Sequence, residues 1–266
     1  MYPKIIELGP ITLHTYGLLL ALAFLAAISL LVRQTESGEV PKNKIWDLGF
    51  VVIISALLGA KLLMVLTNFD YYASQPSQFL RLAFWRSGGA YFGGLLGAIA
   101  GSYWYISRTP EMRFWAIADA AAPAIALGQA IGRLGCFGAG CDYGKPSDLP
   151  WAVTFTDEYA SQNVGVPLNI SLHPTQLYES FATLLLCLIL YNIHRSQRFR
   201  GQVFAYYMIG YGLIRFSNEF FRGDVGRGLF FDGQVSIHQL ISISLILVAS
   251  VFIFRNRVMP IGSRSV

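Results

Sequence analysis

Residues 14–33, HTYGLLLALAFLAAISLLVR, decide the class of fold. No Asp, Glu, Lys or Arg interrupts the run between His14 and Arg33, and about 20 helical residues are enough to cross the hydrocarbon core of a bilayer. Working outward, six further segments have similar character, at approximately 47–67, 88–107, 114–133, 174–193, 202–219 and 236–255. The third and seventh are also free of charge in their interiors. The others carry Lys61, Asp119, Glu179, and the pair Arg215 and Glu219. The chain is 54% hydrophobic and 13% charged, far from the averages of soluble domains. These features predict an all-α polytopic membrane protein with about seven transmembrane helices. It forms one membrane domain over 1–266, within which 134–172 makes a small extracytoplasmic loop.

The basic residues orient the bundle. One set of alternate loops holds Arg33, Lys42, Lys44, Arg108, Arg113, Arg195, Arg198, Arg200, Arg255, Arg257 and Arg264, 11 in all. The other set holds Lys4, Arg81, Arg86, Lys145, Arg222 and Arg227, 6 in all, against eight acids. The first set belongs in the cytoplasm, which puts the N-terminus outside and the C-terminus inside. The net charge of +5 is then a topology signal, and no nucleic-acid partner is expected. The first 13 residues contain Lys4 and Glu7 and no small-residue cleavage site, so loss of a signal peptide is not expected.

Within this frame, LGQAIGRLGCFGAGCDYG (127–144) carries the chemistry. Arg133 closes an apolar span, and a cation at mid-membrane costs roughly 2.5–3.5 kcal/mol, so such charges mark pathways or sites. The small residues after it read as a loop whose backbone N–H groups a ligand can approach. Other polar groups reach the same outer level: His14 and Tyr16, Lys61, Gly88, Gly89, Gly93 and Gly94, then His173, Gln176 and Glu179, then Arg215, Glu219 and Arg222. Asp119 alone falls on the cytoplasmic side.

Each of these has a plainer reading. Lys61 can snorkel to headgroups, and Arg215 and Glu219 can form a structural i,i+4 pair. Gly89, Gly93, Gly97 and Gly101 at steps of four can serve close helix packing, or offer a groove to an acyl chain. His173 and Thr175 beside Pro174 can simply cap a helix start, which also attracts anions. Cys136 and Cys141 stand five apart, unlike the two-residue gap of common zinc sites. Small packing residues, a disulfide and a catalytic thiol all remain open for them, and no metal or cofactor is expected.

GRLGCFGAGCDYGKP (132–146), HPTQLYE (173–179) and YGLIRFSNEFFRGD (211–224) resemble the signatures of the prolipoprotein diacylglyceryl transferases. HTYG (14–17), GGAYFGGLLG (88–97) and the Asp119/Pro123 pattern are similar too. The resemblance covers all seven segments in order. It implies a bacterial plasma-membrane enzyme working toward the outer leaflet. Such an enzyme moves the sn-1,2-diacylglyceryl group of phosphatidylglycerol to the lipobox cysteine of a prolipoprotein signal peptide, leaving a thioether and glycerol phosphate. By that resemblance Arg133 and Arg215 clamp the lipid phosphate, with Glu219 orienting Arg215. His14, Tyr16, Gly93, Gly94, Gly144, Gln176 and Arg222 join them in binding phosphatidylglycerol. Guanidinium forks suit this task, because they present paired donors and keep their charge.

The chain departs from the family pattern in three places. Tyr91 and Phe92 stand where many relatives have histidine before the glycine pair, Cys136 and Cys141 where many have Asn and Glu, and Lys61 where Arg is usual. The base that takes the thiol proton is therefore open. His14 and His173 are candidates, as are Tyr91, Asp142 and the substrate phosphate. Two other classes compete: a secondary transporter for an anionic metabolite, and a non-catalytic lipid-binding scaffold. Both explain polarity gathered near one membrane face less well.

Overall fold

The computed structural model describes residues 3–8, 11–35, 40–81, 84–85, 88–224, 228–230 and 235–258. Arg86, Arg227 and Arg264, used above for orientation, lie outside the described residues. The chain divides into two compact units, Met1–Leu31 with Ala118–Val266, and Val32–Ile117.

The larger unit opens with an antiparallel hairpin, β1 (Lys4–Leu8) and β2 (Ile11–His14), in which Glu7 pairs with Thr12. It leads directly into α1 (Thr15–Gln34), whose first N–H, that of Thr15, donates to the Pro3 carbonyl at 3.0 Å. Later in the chain come α5 (Phe114–Ala139), α7 (Thr175–His194), α8 (Gln202–Asn218) and α9 (Ile237–Val258). Their shared core joins Ala122 and Ala126 of α5 to Leu186, Cys187 and Leu190 of α7 and Val203 of α8, with Leu30 of α1 packed against it. Alanines on α5 let its neighbours approach closely, the usual device where lipid removes the hydrophobic drive between helices.

Asp119, buried on α5, has a clear structural role. Its carboxylate accepts the backbone N–H groups of Gly201 at 2.6 Å and Phe204 at 3.0 Å. It thus caps α8 from a neighbouring helix, satisfying donors that a helix start leaves unpaired.

The smaller unit holds α2 (Lys42–Thr67), the short α3 (Phe69–Ser74), a 3₁₀ turn at Pro76–Leu80, and α4 (Tyr91–Arg108). The glycine stripe of α4 is spent on α2. A Cβ on Gly93 would strike the Gly59 carbonyl, and one on Gly97 the Ser55 carbonyl. The alternative of an open acyl groove along this stripe is corrected, since backbone of α2 fills it. Lys61 donates to the Phe84 and Gly88 carbonyls at 2.5 and 3.2 Å, holding the chain that enters α4.

Among the described residues, five helices are long and apolar enough to cross a membrane: Thr15–Gln34, Lys42–Thr67, Phe114–Ala139, Thr175–His194 and Ile237–Asn256. This is a multi-pass membrane protein. α4 and α8, at 18 and 17 residues, fall where the third and sixth segments were expected. One boundary needs correction. Residues 134–139, expected as loop, continue α5, because α1 lies along its small residues: positions for a Cβ on Gly135 and Gly138 abut Tyr16 and Thr15.

The segment after α5 builds a small core of its own from Tyr143, Phe155, Ala160, Val166 and Leu172. A two-residue ladder, β3 (Val153–Thr154) with β4 (Ser171–Leu172), and α6 (Glu158–Val164) carry it. Of the β-branched and aromatic stretch WAVTF (151–155), only Val153 and Thr154 form strand. α6 starts at Asp157, whose carboxylate accepts the Ala160 N–H at 3.0 Å, and stops at Gly165 in the left-handed conformation, a usual pair of helix boundaries. A last ladder, β5 (Leu229–Phe230) with β6 (Val235–Ser236), precedes α9.

Candidate active site

The site forms where α5 ends. Gly140, at φ +83, stops the helix in a conformation that glycine adopts without cost, and Asp142 follows at φ 59. A non-glycine residue at positive φ is strained unless its surroundings hold it. The N-terminus of α7 does the holding: Thr175 Oγ1 donates to the Asp142 carbonyl at 2.6 Å and Gln176 Nε2 to the Cys141 carbonyl at 2.7 Å. Both side chains are fully buried.

This turn aims the Asp142 carboxylate back at the helix it has left. Its Oδ2 lies 2.5 Å from Arg133 Nη1, and its Oδ1 lies 2.6 Å from Arg222 Nη2. The other Arg133 nitrogen, Nη2, meets Glu179 Oε1 of α7 at 3.0 Å. Glu179 is 2% exposed and accepts a hydrogen bond from Asn218 Nδ2 of α8 at 3.0 Å. Arg222 is also gripped by Asp224, Nε to Oδ1 at 2.8 Å and Nη2 to Oδ2 at 2.5 Å. Arg215 Nη1 stands 3.0 Å from Glu219 Oε2, near enough for an ion pair though not aligned as a hydrogen bond. Three guanidinium groups and four carboxylates thus gather in a largely buried cluster, where each charge depends on its partners.

The electrostatics follow. Burial alone would raise the Asp142 carboxyl, but the charges of Arg133, Arg222 and Arg215 prevail and hold it below the usual carboxylate range. Burial opposes the Arg222 charge, yet Asp224 and Asp142 more than compensate and raise it. Asp142 and Arg222 therefore keep their charges across ordinary pH. The cluster is not sealed: the Arg133 and Asp142 side chains keep 18% and 29% of their exposure.

Three chain segments are stitched together at its edge. Gly144 bridges to Arg222, Lys145 N donates to Phe221 O at 2.8 Å, Gly223 N to Tyr143 O at 3.0 Å, and His173 N to Lys145 O at 3.0 Å. A Cβ on Gly144 would strike His173. So Gly144 serves close backbone approach, and His173 is its neighbour. The His173 ring has Nδ1 3.2 Å from Tyr178 OH and lies against Phe221. Among the described residues it makes no ion pair or hydrogen bond with the arginines.

A family profile described as prolipoprotein diacylglyceryl transferase matches residues 3–255. The chain belongs to the prolipoprotein diacylglyceryl transferase family. It is 34% identical over 257 residues to a phosphatidylglycerol–prolipoprotein diacylglyceryl transferase of Clostridium tetani, covering 96% of this chain and 97% of that one. A Geobacter sulfurreducens protein of the same name is 35% identical over 266 residues, at 97% of both chains. One from Synechococcus elongatus is 36% identical over 247 residues, at 91% and 82%.

For this family member, the expected site residues separate by place. Arg133, Arg215, Glu219 and Arg222 come together in the charged cluster, and Gln176 and Gly144 hold its backbone. Tyr16 lies beside Gly135, close enough to Arg133, Cys136, Cys141 and Asp142 for their charges to act on its phenol. His14 stacks instead on Tyr159, ring centroids 5.8 Å apart. Gly93 and Gly94 belong to α4 in the smaller unit. Asp142, named above only as a candidate base, was missed as the partner that Arg133 and Arg222 share. Asn218, Asp224 and Glu179 were missed as site members as well, although Glu179 announced itself as a lone acid in an apolar span. His238, at the start of α9, was also missed. Its buried Nδ1 finds no hydrogen-bond partner among the described residues, and the charges of Arg215, Glu219, Arg222 and Asp142 act on it.

Proposed function

We propose that the Arg133–Asp142–Arg222 chain, backed by Glu179 and Arg215–Glu219, is where this transferase grips the phosphate of phosphatidylglycerol. The diacylglyceryl group passes from that lipid to the lipobox cysteine of a prolipoprotein, and glycerol phosphate leaves. The observation that carries the reading is Arg133 held between two carboxylates with part of its side chain, and of Asp142's, still exposed. Asp142 occupies one of the two donor edges that a phosphate needs. Exchange of that carboxylate for phosphate gives a charge-assisted, forked contact, and the same donors stabilise charge as the carbon–oxygen bond to phosphate breaks. Glu179 and Asn218 keep the guanidinium plane in place throughout.

Seven helices cross the membrane in this proposal, α4 and α8 included, since 17 residues is the short end of what spans. The basic loops then place the N-terminus outside, the C-terminus in the cytoplasm and the cluster toward the outer leaflet. Tyr16, Gly144, Gln176 and Arg222 border the lipid phosphate. His14, Gly93 and Gly94 are placed with the lipid by resemblance alone, and His173 stands beside the site as a candidate base.

The test is purified protein in mixed micelles with phosphatidylglycerol and a lipobox peptide, followed by peptide mass. The peptide cysteine gains a diacylglyceryl mass, and a Cys→Ser peptide gains none. An unmodified peptide, with a known relative active alongside, would refute the assignment.

A further inference from the structure

The four histidines of the chain sit in different settings. His14 stacks on Tyr159, His173 lies against Phe221, and His194 closes α7 at the end where Asp119 acts on it. His238 lies in the first turn of α9, and three observations bring it to the charged cluster. The first is helix pairing. α9 runs antiparallel to α8: Phe199, just before α8, meets Phe252 with ring centroids 6.4 Å apart, and a Cβ on Gly212 would strike Ile246 and crowd the Ser242 carbonyl. One turn back along α9 from Ser242 is His238, and one to two turns forward along α8 from Gly212 are Arg215 and Glu219. The second is the helix face. Ser242 and Ala249, which follow His238 by one and three turns, are 2% and 1% exposed, so the ring leaves the helix on its packed side. The third is electrostatic. Arg215 and Glu219 of α8, Arg222 beyond it and Asp142 after α5 all face the ring closely enough for their charges to act on it.

The residue is held, yet its ring is incomplete. Ser236 and Gln239 cap the start of α9 reciprocally, Ser236 N donating to Gln239 Oε1 at 3.0 Å and Gln239 N to Ser236 Oγ at 3.2 Å. Ser242 Oγ donates to the His238 carbonyl at 2.7 Å. The backbone is thus fixed, but Nδ1 is buried and finds no partner among the described residues. Buried polar atoms are nearly always paired, because leaving one unpaired is destabilising. The residue as a whole is only half-buried, so a substrate can reach it. We propose that His238 is the general base that takes the proton of the lipobox cysteine at Nδ1; this rests on the diacylglyceryl transfer proposed above. Its charged neighbours are poor bases by comparison. Asp142 and Glu219 are paired with guanidinium groups, and arginine has no acceptor. Imidazole titrates near neutral pH, where a general base works best.

The base and the phosphate grip then serve one displacement. The thiol S–H gives its proton to His238 Nδ1, and the sulfur keeps the electron pair, since the thiolate is the nucleophile. That pair forms the carbon–sulfur bond at the glycerol carbon that bears the phosphate. The carbon–oxygen bond breaks with its electrons on the phosphate oxygen, which gains a second negative charge beside the arginines. The imidazolium returns its proton to that oxygen, so glycerol phosphate leaves singly charged and the ring is neutral again.

The experiment measures transfer from phosphatidylglycerol by the purified full-length protein against pH, with a lipobox peptide and with the same peptide carrying selenocysteine, which is already ionised at neutral pH. On wild type the cysteine rate should rise with pH as His238 loses its proton and level off below about 8.5, the value of a free thiol. His238→Gln should lower the cysteine rate at neutral pH by about 100-fold and move the midpoint up. With selenocysteine, which needs no base, the same variant should come within about tenfold of wild type. His194→Gln should keep the wild-type profile. Thermal melts of both variants separate these effects from unfolding. A His238→Gln rate within about threefold of wild type, far less than a lost base costs, would overturn the proposal. Equal losses with both peptides would make His238 structural and reject it, as would a midpoint that moves in His173→Gln but not in His238→Gln. Should the variant fail to fold, wild type still decides: a cysteine rate that levels off only at the free-thiol value leaves no base to assign. A wild type that leaves the cysteine peptide unmodified defeats the transfer assignment, and this one with it; transfer by wild type with an indifferent His238→Gln defeats the base alone.

Discussion

At the scale of single residues, the site is a set of charges that hold one another. Glu179 is the clearest case, with Arg133 on one oxygen and Asn218 on the other. Glu179→Gln keeps the shape and removes the charge, which leaves a buried guanidinium half-paired. Breaking a buried pair in this way costs about 3–5 kcal/mol. The expected outcome is a lower melting temperature in detergent and a fall in kcat of about tenfold or more, read by thermal unfolding and the peptide assay. Asp142 makes a pH prediction. Its carboxyl titrates below the ordinary carboxylate range in the folded protein, so its contribution to stability is complete above about pH 3.9 and disappears as pH falls through the folded value. An acid-unfolding curve should be flat in this respect from neutral pH to about 5, and Asp142→Asn should remove the final acid step.

At the scale of elements, helix positions were largely legible because hydropathy and length suffice to mark them. α1, α7 and α9 begin and end within a few residues of the segments read from sequence. The end of α5 was not legible. Gly135 and Gly138 read as loop, but they are the surface on which Tyr16 and Thr15 of α1 pack, and that packing outweighs a helix cost of about 1 kcal/mol per glycine. The same limit hid the capping role of Asp119, whose N–H donors lie more than 80 residues along the chain. Asp119→Ala should strip the N-terminus of α8 of two charge-assisted bonds, each worth about 1.5–3 kcal/mol. The resulting loss of thermal stability should be accompanied by faster hydrogen exchange at Gly201 and Phe204. In the smaller unit, Gly97→Leu should push α2 from α4, since even a Cβ there meets the Ser55 carbonyl. Overpacking of this kind costs about 1–3 kcal/mol, and a thermal melt would detect it.

At the scale of the whole molecule, the candidate site was half legible. Arg133, Arg215, Glu219 and Arg222 stood out because charge in or near an apolar span is expensive. Apart from the i,i+4 pair of Arg215 with Glu219, what could not be read was which acids serve which arginines. Asp142 reaches Arg133 only because Gly140 and Asp142 both take left-handed backbone, and Glu179 does so only because α7 lies beside α5. Orientation is tested with single introduced cysteines. One in the 158–164 helix should react with an impermeant maleimide added to intact cells, and one in the 195–200 loop should react only after lysis.

The reaction itself is tested most directly at Arg133, by comparing wild type and Arg133→Lys for diacylglyceryl transfer from phosphatidylglycerol to a lipobox peptide. Lysine keeps the charge and lacks the fork that joins Asp142, Glu179 and phosphate. The expected result is a folded protein whose turnover falls by about 100-fold or more, in line with losing a principal transition-state donor. Turnover within about twofold of wild type would contradict a guanidinium grip on the lipid phosphate.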